Sequence, residues 1–390
     1  MDPRTNPFSP GAGTQPPELA GRDSVLEQAN IALARIRAGR SSKSLILVGL
    51  RGVGKTVLLN RICERAKTDG YKEVLIEAHE NKPLPELLIP FLRQILYSLD
   101  AMENASEKAK RGLRVLRSFV TGLKVKFGDV EFGIGEAERG SADSGDLEAD
   151  LGELFLAVAE AAADRQTAVA ICVDELQYLS ELELSALIMA MHRVAQRNLP
   201  LTLVGAGLPQ IVALTGKSKS YAERLFDFPE VGPLGPDDAR NALQTPVRNQ
   251  NVEFTEDALN EVIRKTERYP YFLQQWGYEA WNLADASPIT HNVIKTATIS
   301  AIAKLDQSFF RVRFDRLTPR EKDYLRVLAT LGPGNQRSGE IADKLGVKVQ
   351  SVAPLRSGLI KKGMIYSPSH GDTAFTVPLF DAFMLRMMPE

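Results

Sequence analysis

The sequence predicts an α/β architecture: a parallel sheet covered by helices on both faces, then a helical lid, then a small module of helices and a hairpin. Three observations carry this prediction. Short apolar runs alternate with helix-period patterns to about residue 234, strand-like runs then give way to helices up to about residue 310, and short helices followed by a two-stranded turn close the chain.

Ser44 to Val48 is an apolar run typical of a buried parallel strand, and it enters a Gly-rich turn. The helix that follows carries Leu58 and Ile62, then Leu59 and Cys63, at four-residue spacing. Further strands fit Glu73 to Ala78, Ala168 to Val173, Leu201 to Val204 and Phe228 to Val231. The intervening helices hold Leu88, Leu92, Ile95 and Leu99, an Ala-rich stretch from Leu147 to Ala163, and Leu184, Leu187, Ile188, Met191 and Val194. Residues 101–146 form an insertion in which Val125, Phe127, Val130, Phe132 and Ile134 flank Gly128-Asp129 as in a small hairpin. It reads either as a decoration of the core or as a loop that touches DNA or a neighbouring subunit. Four lid helices are expected over Pro236 to Val247, Thr255 to Glu267, Tyr271 to Ala284 and Thr290 to Asp306.

At 390 residues the chain is too long for one ordinary core. Its 44% hydrophobic and 25% charged residues are ordinary for a globular protein. The net charge of -1 supplies no global field for nucleic acid, so any such contact needs a local patch. Cys63 and Cys172 lie in apolar stretches and cannot form a disulfide framework, which fits a reducing cytoplasm. Residues 1–16, rich in Pro, Gly and polar residues, read as a flexible tail rather than a signal peptide. Apolar runs all fall short of about 18 residues, so no membrane span is expected. The expected domains are a core over 17–234, a lid over 235–310 and a C-terminal domain over 311–390.

Gly49-Leu50-Arg51-Gly52-Val53-Gly54-Lys55-Thr56 matches G-x-x-x-x-G-K-[ST] in full, with Val57 continuing into the helix. Glycines let backbone N–H groups converge on phosphate oxygens at the positive end of a helix dipole. Lys55 supplies a mobile charge to the β and γ phosphates, and the Thr56 hydroxyl ligates Mg²⁺. The third strand ends in Ile171-Cys172-Val173-Asp174-Glu175, an apolar run followed by two acids. Asp174 is expected to hold Mg²⁺, and Glu175 to polarise the attacking water. The blander alternative is a helix cap.

With both motifs in place, the chain resembles AAA+ and STAND ATPases, in particular origin-recognition-like and archaeal-type ATP-binding proteins that end in a winged helix. The resemblance spans residues 17–390 and implies a P-loop NTPase core of the AAA+/ASCE type. Leu19-Ala20-Gly21-Arg22-Asp23 resembles the element whose backbone lies near adenine; Arg22 reads equally as a surface ion pair. The fourth strand runs into Gly205-Ala206-Gly207, where many of these proteins carry a polar residue, and this departure favours a slow switch over a motor. Arg224, in Tyr221-Ala222-Glu223-Arg224-Leu225-Phe226, resembles an arginine offered to a neighbour's γ-phosphate, or makes a structural salt bridge. Arg268-Tyr269-Pro270-Tyr271 falls where STAND proteins carry G-x-P and AAA+ proteins a second arginine, with Arg268 in the glycine position; Arg268 reads as a lid arginine for the γ phosphate or as a capping or surface residue.

Thr318-Pro319-Arg320-Glu321 has the form of a helix start, Ser338 to Leu345 is a second helix ending at Gly346, and Gln350 to Lys362 a third. Met364 to Val377 then reads as a wing around His370-Gly371-Asp372. This is the winged-helix pattern, whose third helix usually enters the major groove. From Leu317 onward ten Lys or Arg face seven Asp or Glu, an excess that permits phosphate contacts without demanding them. Lys348, Gln350, Ser351, Arg356, Lys361 and Lys362 are the candidate DNA contacts, and Pro354 should bend the third helix or mark its first turn. Two readings follow. One is an ATP- and Mg²⁺-dependent switch that controls oligomerisation and binds duplex DNA; the other is a signalling or scaffold ATPase whose winged helix packs internally and meets no nucleic acid.

Overall fold

The computed structural model describes residues 1–11, 13–101, 106–123, 140–369 and 371–389. They divide into two compact units, one of Ser24–Val48 and Leu58–Glu230, the other of Met1–Asp23, Gly49–Val57 and Val231–Glu390.

The first unit is built from α1 (Asp23–Arg37), β1 (Ser44–Val48), α2 (Lys55–Thr68), β2 (Lys72–Glu77), α3 (Leu84–Asp100), α4 (Glu107–Gly122) and α5 (Leu147–Asp164). After these come β3 (Val169–Asp174), α6 (Glu181–Gln196), β4 (Leu201–Gly207), α7 (Gln210–Ser218), α8 (Ala222–Leu225) and β5 (Phe226–Asp227). The strands form one sheet in the order β2-β3-β4-β1-β5, parallel throughout. Every residue of β1, β3 and β4 is buried, which is why these segments are apolar without alternation. The fifth strand falls at Phe226–Asp227 rather than at Phe228 to Val231; beyond it only the bridge from Val48 to Glu230 continues the pairing.

The insertion contains a helix that escapes the sequence reading. In α4, Leu113, Leu116 and Phe119 are buried in the same core as Leu92, Leu96 and Phe155, and a Cβ on Gly112 would lie 2.5 Å from Leu96 Cδ2. The expected hairpin, Val125 to Ile134, lies outside the described residues. Behind the insertion, buried Asp150 accepts hydrogen bonds from Ser144 Oγ (2.8 Å) and Gly145 N (2.9 Å), tying the loop to α5.

Tyr71 joins the start of β2 to α1, donating from its hydroxyl to Leu33 O at 2.6 Å. Burial pushes its pKa up to about 12 from the ordinary 10.0, with Arg37 pulling the other way. A raised folded pKa contributes stability that is whole below the unfolded value and is lost as pH rises through the folded one. Two pKa units correspond to about 3 kcal/mol. The denaturant midpoint is therefore expected to fall as pH rises from about 10 to about 12, and Tyr71→Phe to flatten part of that fall. Superimposable midpoint curves for the two proteins would refute this role.

The second unit continues with α9 (Pro236–Arg248), α10 (Glu256–Lys265), α11 (Pro270–Leu283), α12 (His291–Leu305), α13 (Arg311–Asp315) and α14 (Pro319–Thr330). Then follow β6 (Gln336–Arg337), α15 (Ser338–Leu345), α16 (Val349–Lys361), β7 (Ile365–Tyr366), β8 (Asp372–Phe375) and α17 (Phe380–Met387). Strands β6, β8 and β7 pair antiparallel in that order. A capping box, Thr318 with Glu321, starts α14, and Gly346 ends α15 in a left-handed turn. Pro354 lies inside α16, which continues through it.

Aromatic packing joins α11 to the end of the chain. Phe310 lies 6.4 Å from Phe272, 5.7 Å from Phe380 and 5.2 Å from Phe383, centroid to centroid, so α11 and α17 share one core.

Within residues 1–16, expected to be a flexible tail, Asp2, Asn6 and Phe8 make packed or hydrogen-bonded contacts. Phe8 is 2% exposed, and a Cβ on Gly277 would come within 2.7 Å of its ring. Trp281 Nε1 donates to Asp2 O (2.9 Å), and Asn6 Nδ2 to Tyr278 O (3.1 Å) and Asn282 Oδ1 (2.9 Å). Composition concealed this because one aromatic anchor and a few long-range hydrogen bonds hold an otherwise polar segment.

Candidate functional site

The phosphate-type loop belongs to the second unit, and its shape follows from its glycines. A Cβ on Gly49 would lie 2.0 Å from Val231 O, so no other residue fits there. Gly52 (φ 81°) and Gly54 (φ 91°) adopt the left-handed conformation that only glycine takes without strain. The space beside Gly54 is open for 4 Å, so the loop presents bare backbone there. Val53 is buried, while Thr56 and Val57 open α2. Lys55 is 7% exposed, and its Nζ donates to Gly49 O and Leu50 O, both at 2.9 Å. This holds the ammonium over the loop.

Three distant segments grip the loop. Arg22, buried, donates from Nη2 to Val53 O (3.1 Å) and Gly232 O (2.6 Å). Burial draws its pKa below the ordinary guanidinium value, with Asp238 opposing. Arg22 thus clamps the loop and is no surface ion pair.

At the start of α11, Pro270 has no N–H to leave unsatisfied, and the next amide, an orphan of the first helical turn, finds a partner in the loop. Tyr271 N donates to Gly52 O at 3.1 Å. Arg268 just before it is left-handed (φ 63°), a conformation glycine takes freely, and its carbonyl accepts from Leu234 N (3.0 Å).

The third grip comes from the C-terminal segment. Arg51 N donates to Thr376 O (3.0 Å) and Arg51 Nε to Gly363 O (3.5 Å). Thr376 is itself fixed, its N–H on Met364 O (3.0 Å) and its hydroxyl on Gly363 O (2.5 Å). The sequence singles out Arg22 and Pro270 as cofactor-binding candidates but not Tyr271 and Thr376, whose backbone groups hold the loop.

The acidic residues belong to the first unit. Asp174 ends β3 at the carboxyl edge of the sheet, 7% exposed, with Oδ1 accepting from Glu175 N at 2.8 Å. Glu175 is left-handed (φ 52°), so the chain turns sharply at this residue. Arg224 in α8 is exposed, and among the described residues its side chain makes no salt bridge.

The expected DNA contacts separate into two groups. Lys348, Gln350, Ser351 and Lys361 are exposed on α16 and the residue before it. Arg356 and Lys362 are half-buried and make hydrogen bonds within the domain. Arg356 reaches Thr373 Oγ1 (2.9 Å), Ser367 Oγ (2.6 Å) and Asp372 O (2.7 Å), tying α16 to the hairpin. Lys362 pairs with Glu321 at 2.7 Å and donates to Arg316 O. His370 lies outside the described residues.

A glycine-built loop closing on a lysine at a helix start, carried by the second strand from the edge of a 2-3-4-1-5 parallel sheet, defines a P-loop NTPase. Residues 18–204 match the AAA ATPase domain, and residues 307–384 match a domain of unknown function (DUF8462). Residues 18–204 thus form an AAA-type P-loop ATPase domain.

Among solved structures, the Walker-type ATPase PABY2304 of Pyrococcus abyssi is 18% identical with a TM-score of 0.56, over 95% of this chain and 97% of that one. The Aeropyrum pernix ORC1 protein, solved in complex with DNA, is 16% identical with a TM-score of 0.47, over 96% and 94% of the two chains. The RuvB Holliday junction branch migration motor of Thermotoga maritima is 14% identical with a TM-score of 0.45, over 93% and 96%. A comparison with curated proteins finds no match. Among the described residues no helix is long and apolar enough to cross a membrane.

Proposed function

We propose that this ATPase works as a slow switch whose nucleotide state is relayed to the C-terminal segment. The observation that carries the reading is the hydrogen bond from Arg51 N to Thr376 O, because it ties the phosphate loop directly to the hairpin at the end of the chain. Any rearrangement of the loop by a triphosphate must alter this bond or be limited by it. By linkage, the hairpin then alters nucleotide affinity by the same factor.

In this reading the amides from Gly52 to Val57 cradle the phosphates, and Lys55 leaves the loop carbonyls for the β and γ oxygens. Thr56 and Asp174 offer the hard oxygen ligands that Mg²⁺ prefers, and the ion, when bound, neutralises phosphate charge. Glu175 orients and deprotonates the attacking water. Arg268 is a lid arginine for the γ phosphate. Arg224, exposed on α8, suits donation to a second copy, with oligomerisation following nucleotide state.

The test is amide hydrogen exchange with ADP and with a non-hydrolysable ATP analogue. Exchange at Arg51 and over residues 363–377 is expected to differ between the two nucleotides by at least about tenfold, or about 1.4 kcal/mol. Identical protection in both states refutes the relay.

A second element of the reading is duplex DNA binding by residues 311–390 acting as a winged helix. The order α14, β6, α15, α16, β7, β8 and the exposure of Lys348, Gln350, Ser351 and Lys361 favour it. With Arg356 and Lys362 engaged, only a few cations remain, so the slope of log affinity against log salt should be shallow, roughly −2 to −3. Absent or salt-insensitive binding favours an internal clamp that uses no nucleic acid.

A further inference from the structure

Gln177 lies two residues beyond Glu175, in a short 3-10 turn spanning Leu176–Tyr178. Its side-chain Oε1 accepts the backbone N–H of Leu208 at 2.9 Å, just past the end of β4. A backbone amide can only donate, so the carboxamide oxygen must face Leu208 and the NH₂ must face away. There Nε2 donates to Oε2 of Glu175. The carboxamide therefore spans from the end of β4 to the carboxylate at the end of β3.

The glycines of β4 make room for this bridge. A Cβ on Gly207 would lie 3.2 Å from Gln177 Oε1, and one on Gly205 would lie 2.3 Å from Leu176 Cδ1. The run Gly205-Ala206-Gly207 thus leaves space at the strand end that the side chains of the turn fill. The turn itself is closed by Tyr178 N on Glu175 O (3.0 Å) and Leu179 N on Leu176 O (3.1 Å). Glu175 is consequently held twice: by a left-handed backbone at the head of a closed turn, and by a donor on one carboxylate oxygen.

We propose that Gln177 is a positioning residue for Glu175. It anchors Oε2 to a rigid strand end, so that the carboxylate meets the attacking water in a single orientation. The proposal rests on the reading of Glu175 as the group that activates water. It predicts an effect on turnover and not on nucleotide affinity, because Gln177 acts through Glu175. A misplacement of about 1 Å at a reacting group can lower the rate about 100-fold.

The experiment compares the full chain with Gln177→Leu, Gln177→Glu, Glu175→Gln and the double variant Gln177→Leu/Glu175→Gln. It measures kcat for ATP, Kd for a non-hydrolysable ATP analogue, and Tm. Gln177→Leu removes both bonds. Gln177→Glu keeps an acceptor for Leu208 N–H but has no donor for Glu175, so it decides the matter if the leucine variant fails to fold.

Both Gln177 variants are expected to lower kcat at least about tenfold with Kd unchanged within about twofold. Adding Gln177→Leu to Glu175→Gln should cause no further loss, since both changes disable one unit. Wild-type kcat in Gln177→Glu, or a multiplicative loss in the double variant, overturns the proposal. If Glu175→Gln is inactive while the Gln177 variants are normal, only the positioning role falls. If Glu175→Gln itself turns over like wild type, the reading of Glu175 falls and the positioning role with it.

Discussion

Lys55→Ala is expected to weaken ATP binding at least about 100-fold, a loss of about 2.7 kcal/mol. The size follows from where the ammonium lies. Lys55 is 7% exposed and already faces the interior of the loop through Gly49 O and Leu50 O, so it meets a phosphate without being drawn from bulk water. Hydrogen bonds to charged partners contribute about 1.5 to 3 kcal/mol each, and a polyphosphate can accept more than one. The same substitution leaves two loop carbonyls without their donor, so part of the loss could come from a loosened loop. Lys55→Met keeps the apolar stem and reports on the charge alone. Titration of a fluorescent ATP analogue with Tm measured in parallel checks both variants. Wild-type affinity in both would mean that the loop does not hold the triphosphate.

Glu175→Gln should lower kcat by about 100- to 1,000-fold while leaving Kd for ATP within about threefold, because general-base catalysis typically contributes 10²- to 10⁴-fold. Glutamine is nearly isosteric and incurs the same left-handed backbone strain, so the fold at the end of β3 is not disturbed. What changes is the capacity to take a proton. Single-turnover hydrolysis separates chemistry from product release, and a variant that hydrolyses at the wild-type rate would remove Glu175 from the chemistry.

The local motifs were legible in the sequence for a physical reason. β1, the loop and α2 are contiguous, so the apolar run, the glycines that must be left-handed and the lysine at the helix start all fall within about a dozen residues. The end of β3 was equally readable, since a fully buried parallel strand ending in Asp174-Glu175 leaves few alternatives. Arg268 is a misfit in a glycine position, and its φ of 63° shows what that position demands of the backbone.

Other features depend on partners far away in the chain. α4 has helical spacing at Leu113, Leu116 and Phe119, but it joins a core shared with distant residues, Leu96 beside Gly112 among them. Arg356 and Lys362 look like free cations in a mildly basic segment, and only the neighbouring hairpin and Glu321 reveal them as engaged.

The sequence by itself determined the strand, loop and helix that shape a phosphate nest, the acids at a strand end, and the alternation that demands a parallel sheet. These are consequences of spacing and backbone freedom, which act over a few residues. Only the tertiary structure decided that Arg22 and the amide of Tyr271 brace the loop, that Arg51 joins it to Thr376, that Phe8 anchors residues 1–9, and that Gln177 holds Glu175. Each of those rests on a hydrogen bond or a buried contact whose partner is chosen by folding, and neither residue type nor local spacing can announce it.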